Sequence, residues 1–359
     1  MVSISLCMIV KNEEDTLENC LSSCLDLFDE IIIVDTGSAD NTKEIAQKYT
    51  DKIYDFKWCD DFSKARNFSF SKATKDYIMW LDADDIILPQ DMEKLKRLKD
   101  TLDDNIDIVM LKYNFGNIQT SESVLSYYRE RIVKRNKKYK WISPIHEVIV
   151  PKGNIFYAND IAITHNKIHA SDPKRNLRIF EKMKTENYIF DARQTFYYAR
   201  ELYYAKEYDK AIKEYVSFLN MKDAWIPNVI SACIDLHYIY LEKNNESKAL
   251  SYLFKTFEYD IPSAEVCCHI ASIFMQRKKY TVAIYWYKEA TKCKYDISSG
   301  GFLNKDYYDF IPYIQLCVCY YAIGDISEAM LYNKKAGRIK PNNSSYLYNV
   351  HLFENSSQE

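Results

Sequence analysis

Glycine is scarce in this chain, 7 residues in 359, and so low a supply argues against a turn-rich all-β fold. No apolar run approaches the roughly 18 residues needed to cross a bilayer, so stable membrane insertion is not expected. The formal net charge of −3 leaves no bulk electrostatic case for nucleic acid or for an anionic membrane. The ten cysteines contain no Cys-X-X-Cys pair; the close pairs are Cys20/Cys24, Cys267/Cys268 and Cys317/Cys319. Met1 to Val10 passes directly into Lys11-Asn12-Glu13-Glu14, with no basic leader and no small-residue cleavage site of a signal peptide. The expectation is a soluble, cytoplasmic protein whose thiols are reduced and buried.

What the chain does have is an ordinary globular balance, 47% hydrophobic and 28% charged, with 31 tyrosines. That composition favours helices with aromatic packing, and the length leaves room for about two or three domains.

The first half alternates strand-like and helix-like patterns. Ser3 to Val10 is a β-rich run, followed by helical spacing through Leu17, Leu21, Cys24 and Leu25. Glu30 to Val34 reads as a strand ending in Asp35-Thr36-Gly37-Ser38. A helix then runs from Asp40-Asn41-Thr42 to about Tyr49, with Asn41 or Thr42 as N-cap. A short strand near Lys52 to Phe56, a helix from about Ser63 to Ala73 and a strand ending at Asp82 complete the alternation. Such alternation implies parallel pairing through right-handed crossovers, and ligands in such sheets bind beyond the carboxyl ends of the strands. Asn12 and Glu13, Asp35 and the cluster Asp82-Ala83-Asp84-Asp85 all lie at such ends, so they should converge. Ser126 to Lys134 and Lys140 to Val150 read as later, more antiparallel strands, joined by the basic turn Arg135-Asn136-Lys137-Lys138.

From about Arg193 the pattern becomes helical only, and a repeat emerges. Ala211, Ala249, Ala283 and Ala329 stand about 38, 34 and 46 residues apart, near the 34-residue unit of the tetratricopeptide repeat, two antiparallel helices per unit. The longest spacing leaves room for an inserted loop around Ser298-Ser299-Gly300-Gly301. The expected layout is an α/β domain over 1–170, a linker helix over 171–192 and an all-α repeat superhelix over 193–359.

Clustered carboxylates behind an apolar strand offer hard oxygen ligands that suit a divalent cation gripping a diphosphate. Asp82 and Asp84 share a side of an extended segment by alternation.

Four ordered segments then carry a resemblance: Ser5-Leu6-Cys7-Met8-Ile9-Val10-Lys11-Asn12-Glu13-Glu14, Val34-Asp35-Thr36-Gly37-Ser38-Ala39-Asp40-Asn41-Thr42, Asp61-Phe62-Ser63-Lys64-Ala65-Arg66-Asn67, and Trp80-Leu81-Asp82-Ala83-Asp84-Asp85. Together they resemble family 2 glycosyltransferases of the GT-A fold, a Rossmann-like mixed sheet that binds nucleotide-diphospho-sugars. The branch that joins this domain to C-terminal tetratricopeptide repeats includes peptide S-glycosyltransferases that modify bacteriocins.

The resemblance implies roles. Asn12 and Glu13 would contact the nucleoside, unless they only open a helix. Asp35 would accept from ribose or uracil, alone or together with an Asx-turn at Thr36-Gly37. Arg66 and Asn67 would hold base or phosphate; the alternative is a solvated helix face. Asp84 would ligate Mn²⁺ or Mg²⁺, with Asp82 toward ribose or the metal. His165 would be a third ligand or a hydrogen-bonded structural histidine. Ser143-Pro144-Ile145-His146-Glu147 resembles a later motif of the branch, which makes Glu147 the first candidate for the base of an inverting transfer, ahead of His146 and Asp85. Arg129 and Arg131, on one strand face by alternation, would neutralise diphosphate charge or form a solvated face.

The expected reaction is transfer of a sugar from a UDP-sugar donor, UDP-glucose or UDP-GlcNAc, to a Cys, Ser or Thr side chain of a peptide or protein held by the repeats. The alternatives are a cell-surface glycan or lipid-linked acceptor, and a non-catalytic interaction protein. An exposed repeat end is compatible with a homo-oligomer.

Overall fold

The computed structural model describes residues 1–115, 125–166, 172–295 and 303–356; the loop expected around Ser298-Ser299-Gly300-Gly301 lies outside the described residues. The chain packs as two units, Met1–Ile189 and Phe190–Glu359.

In the first unit β1 (Ile4–Val10), α1 (Leu17–Cys24), β2 (Glu30–Asp35), α2 (Thr42–Gln47), β3 (Ile53–Asp55), α3 (Phe62–Lys72) and β4 (Tyr77–Trp80) alternate. There follow β5 (Asp85–Ile86), α4 (Pro89–Thr101), β6 (Ile108–Phe115), β7 (Leu125–Lys134), β8 (Trp141–Ile142), β9 (Val148–Ile149), β10 (Ile155–His165) and α5 (Arg175–Thr185). The main sheet runs β3-β2-β1-β4-β7-β6-β10-β5. Its β1–β2, β1–β4 and β2–β3 pairs are parallel, while β7 runs antiparallel to both β4 and β6. This is a mixed α/β sheet, as expected from the sequence. Within the range 171–192, expected as a linker helix, lies α5, which belongs to the first unit.

Every residue of β2 and β4 is buried, because both sheet faces are covered and the strands must be apolar on both sides. Alternation sorts them into two cores. Leu6, Met8, Ile33 and Met79 pack on one face with Leu17 and Leu21 of α1 and Leu95 of α4. Cys7, Ile32, Ile78 and Trp80 pack on the other with Phe70 of α3 and with Trp141. Removing each large apolar side chain from water contributes about 1.5–3 kcal/mol, which fixes strand register firmly.

Two elements differ from expectation. The strand expected over Lys140 to Val150 is broken into β8 and β9, because Ser143 (φ 74°) and His146 (φ 50°) adopt left-handed backbone and Pro144 has no N–H to donate. In β7 the pairing shifts register where Ile132 faces Val109 and Glu130 faces Met110, leaving Arg131 as the extra residue of a β-bulge. The bulge interrupts regular alternation at Arg131, yet Arg129 and Arg131 both reach the Trp80 ring, and Glu130, Arg131, Ile132 and Val133 are all buried in succession.

The second unit is a series of helix pairs: α6 (Ala192–Tyr204) with α7 (Tyr208–Leu219), α8 (Ile226–Glu242) with α9 (Glu246–Lys255), α10 (Ala264–Gln276) with α11 (Tyr280–Ala290), and α12 (Phe310–Ala322) with α13 (Ile326–Ile339). A last helix, α14 (Ser344–Ser356), packs on α13. Ala211, Ala249, Ala283 and Ala329 are wholly buried, each on the second helix of its pair, where a small residue lets the helices close. At Gly337 the approach to α14 leaves no room for a side chain, since an added Cβ would lie 2.2 Å from the Tyr346 ring. Among the described residues no helix is long and apolar enough to cross a membrane.

Candidate functional site

The carboxyl ends of β1, β2 and β4 are adjacent, since Val10 pairs with Asp35 and Cys7 with Trp80. The loops beyond β1 and β2 are tied together. Asn12, at φ 54°, accepts the Ala39 N–H on Oδ1 at 2.8 Å and donates its own N–H to Ser38 Oγ at 2.9 Å. Glu13 donates its N–H to Thr42 Oγ1 at 2.8 Å. The buried Asp35 carboxylate accepts from the N–H groups of Gly37 and Ser38, 3.0 and 3.1 Å from Oδ2. The Asx-turn is therefore present, and Gly37 (φ 105°) is the glycine it uses.

Arg66 stands between the end of β4 and the loop before β9. Asp61 caps α3 by accepting the Lys64 N–H at 3.0 Å, and Ser63, Arg66 and Phe70 then share the buried helix face. The guanidinium lies over Trp80 and Trp141, 5.1 and 4.8 Å from the ring centroids. Its Nη2 donates to Asp82 Oδ1 and its Nε to Glu147 Oε1, each at 2.7 Å. One planar cation thus joins a carboxylate behind β4 to one from the strained loop before β9. Burial raises the Asp82 carboxyl, but Arg66 and then Arg131 outweigh it and hold Asp82 down to about 2.

Asp84 has the opposite environment. Burial pushes it up to about 6; His165 opposes, while the charges of Asp82, Asp85 and Glu13 add to the rise. His165 Nδ1 is 3.5 Å from Asp84 Oδ1 and 3.8 Å from Asp85 Oδ1. Burial lowers the imidazole, yet the carboxylates of Asp85 and Asp84 prevail and raise it above its ordinary value. Asp84, Asp85 and His165 present ligand atoms all within 4.8 Å of one another. Hard carboxylate oxygens with one imidazole form a donor set that fits Mn²⁺ or Mg²⁺. Asp82 is the expected ligand that lies outside this group, with one oxygen on Arg66.

The remaining candidates occupy different places. The Asn67 amide bonds both backbone groups of Trp141, donating to its carbonyl at 2.9 Å and accepting its N–H at 3.0 Å. His146 stacks on Phe180 of α5, centroids 6.1 Å apart. Asp85 has no exposed side-chain area and pairs with Arg131, itself fully buried, at 2.8 Å. Arg129 pairs with Glu130 at 3.1 Å and lies 4.8 Å over the Trp80 ring. Tyr113 escaped the sequence reading: its hydroxyl reaches Asp85 from β6, a contact 28 residues away in the chain that no local pattern announces.

Residues 5–157 match the family model described as Glycosyl transferase family 2. A TPR repeat-containing protein of Synechococcus elongatus is 35% identical over 150 residues, 42% of this chain and 36% of that one. The SPbeta prophage-derived glycosyltransferase SunS of Bacillus subtilis is 27% identical over 273 residues, 70% of this chain and 62% of SunS. The chain thus spans 36% to 62% of these relatives' length. Among solved structures, S. aureus TarS 1-349 in complex with UDP-GlcNAc is 15% identical, with 69% of this chain and 89% of that chain covered at a TM-score of 0.36. The segment 5–157 of this chain, strand ends and acid cluster included, is a family 2 glycosyltransferase domain.

Proposed function

We propose that the chain is a divalent-metal-dependent, inverting glycosyltransferase that moves a sugar from a nucleotide-diphosphate donor, UDP-glucose or UDP-GlcNAc, to a peptide or protein side chain. The observation that carries this reading is the convergence of Asp82, Asp84, His165, Arg66 and Glu147 at one end of a family 2 sheet. A bound Mn²⁺ or Mg²⁺ would supply charge neutralisation for the departing diphosphate. Asp84 and His165 would hold it, with Asp85 beside them. Asp35 and Asn12, in the neighbouring tied loops, would receive the nucleoside.

The acceptor chemistry falls to Glu147. Arg66 occupies its Oε1, which leaves Oε2 to take the proton of the attacking thiol or hydroxyl. The new bond forms from sulfur or oxygen to the anomeric carbon as the bond from that carbon to the diphosphate oxygen breaks, with inversion. A thiol acceptor would lighten the demand on the base, because it ionises more readily than serine. The resemblance to the branch that couples this domain to helical repeats supports a polypeptide acceptor held by the second unit.

The test incubates the full chain with Mn²⁺, a panel of UDP-sugars and candidate peptides encoded beside its gene, followed by mass spectrometry. A hexose or N-acetylhexosamine increment on one peptide is expected. Absence of both transfer and donor hydrolysis across the panel would defeat the reading. Asp84→Ala should abolish turnover while leaving the helical spectrum intact, and retained activity would remove the metal assignment.

A further inference from the structure

Asp85 is the most enclosed acid of the site, and its oxygens are already engaged. Oδ2 accepts from Arg131 Nη1 at 2.8 Å and from the Asp82 N–H at 3.0 Å; Oδ1 accepts from the Tyr113 hydroxyl at 2.6 Å. A carboxylate with three protein donors, one of them a buried guanidinium, has little left for an ion or for an acceptor proton. The same Tyr113 oxygen lies 3.1 Å from His165 Nδ1.

Hydrogen counting settles the direction of that contact. A phenol at neutral pH carries one proton, with an ordinary pKa of about 10. Here that proton lies on the short bond to Asp85, so toward His165 the oxygen only accepts. Nδ1 therefore bears a hydrogen whether the imidazole is neutral or charged, and Nε2 is the nitrogen left with the exchangeable lone pair.

The surroundings hold this arrangement rigid. His165 and Asp85 are backbone partners across the β10–β5 ladder. The Arg131 guanidinium is stacked 3.8 Å from the Trp80 centroid and 4.3 Å from that of Tyr113, and the bulge in β7 is what places it there. Phe115 packs on the imidazole with centroids 4.6 Å apart.

We propose that Tyr113 is a positioning residue that relays the Asp85 carboxylate onto His165 and fixes its Nδ1–H tautomer, which leaves Nε2 as the imidazole nitrogen with a lone pair for a divalent ion. Carboxylate and hydroxyl partners behind a metal-bound histidine commonly set its orientation and basicity. The ion rests on the metal-dependent reading above; the tautomer does not. On this account Asp85 is the anchor of the relay. Asp85 has no exposed side-chain area, so the extra methylene of a glutamate there would crowd its three donors.

The experiment is ¹⁵N NMR of the imidazoles in metal-free protein, with His165→Gln identifying the His165 signal, alongside Mn²⁺ titration. Wild type should show the Nδ1–H tautomer. Tyr113→Phe keeps the aromatic packing but removes the hydroxyl, so it should give a mixed tautomer and Mn²⁺ binding about 10–100-fold weaker, with an unchanged far-UV spectrum. An Nε2–H tautomer in wild type would overturn the relay, and that reading needs no variant to fold. Unchanged tautomer and unchanged affinity in Tyr113→Phe would overturn it too. A wild type that shows Nδ1–H yet binds no Mn²⁺ would overturn the metal-dependent reading and uphold the relay.

Discussion

Both units place non-glycine residues in left-handed backbone, but they do so in different patterns. In the helical unit these positions are Lys206, Asn244 and Lys278, joined by Gly324. Each stands five residues before its repeat alanine, at the turn between paired helices. At each, the following N–H reaches back to a carbonyl near the helix end, as Glu207 does to Leu202 at 2.9 Å and Lys279 to Phe274 at 2.9 Å, which is a Schellman closure. In the sheet unit they are Asn12, Asp60, Lys138, Ser143, His146 and Asn187, which follow no period; three of the six, Asn12, Ser143 and His146, sit within four residues of Glu13 or Glu147. Backbone strain that recurs with a repeat is a building device. Strain that does not recur, and gathers around a cluster of charges, marks the site.

Buried charge divides the units in the same way. The helical unit buries Asp235 with Arg200 at 3.0 Å and the Tyr215 hydroxyl at 2.6 Å, a closed set between helices. The sheet unit gathers Asp82, Asp84, Asp85, Glu147, Arg66, Arg131 and His165 at one end of the sheet, where Asp82 and Asp84 titrate near 2 and 6. Carboxyls driven apart to that extent are expected at a functional site.

The largest effect expected on stability comes from Arg66→Ala, which leaves Asp82 and Glu147 without their shared cation. It should cost about 3–5 kcal/mol in urea unfolding of the sheet unit; a loss below 1 kcal/mol would show those carboxylates to be solvated.

Acid separates the units next. Burial first, and then the neighbouring His269, lower His237 to about 4. A histidine held neutral contributes stability fully above its unfolded value of about 6.5 and loses it as pH falls toward 4, worth about 3 kcal/mol over that window. The stability difference between wild type and His237→Gln should therefore shrink by about that amount from pH 7 to pH 4. Asp82, depressed in the fold, loses its contribution only as pH falls from about 4 to 2. A difference that stays flat with pH would mean that His237 takes up its proton in the fold as readily as in the unfolded chain.

The smallest effect sharpens the comparison most. Lys278→Gly should stabilise the helical unit by about 0.5–1 kcal/mol, because glycine has no Cβ penalty at φ 57°. His146→Gly should relieve similar strain yet reduce turnover at least about tenfold by loosening the loop that carries Glu147. Equal activity in His146→Gly would make that loop as purely structural as the repeat turns.

Much of this was legible before the structure. Apolar runs buried on both faces identified β1, β2 and β4, and the expected convergence of their carboxyl ends is seen in the pairing of Val10 with Asp35 and of Cys7 with Trp80. The repeat alanines identified the second helix of each pair. What escaped depended on chain-distant partners. The bulge at Arg131 breaks the period on which alternation rests, and the contacts of Tyr113 with Asp85 and of Asn67 with Trp141 span 28 and 74 residues. The repeat turns were hard to see because glycine, their usual marker, occurs only at Gly324, with lysine or asparagine at the others.

The most direct test of the central claim, that these strand ends form a metal-assisted nucleotide-diphosphate site, is calorimetric titration of UDP into the full chain. The account predicts binding by wild type that requires Mn²⁺ and weakens at least about tenfold in Asp84→Ala. Binding of equal strength without metal and in Asp84→Ala, or no binding at all, would contradict it.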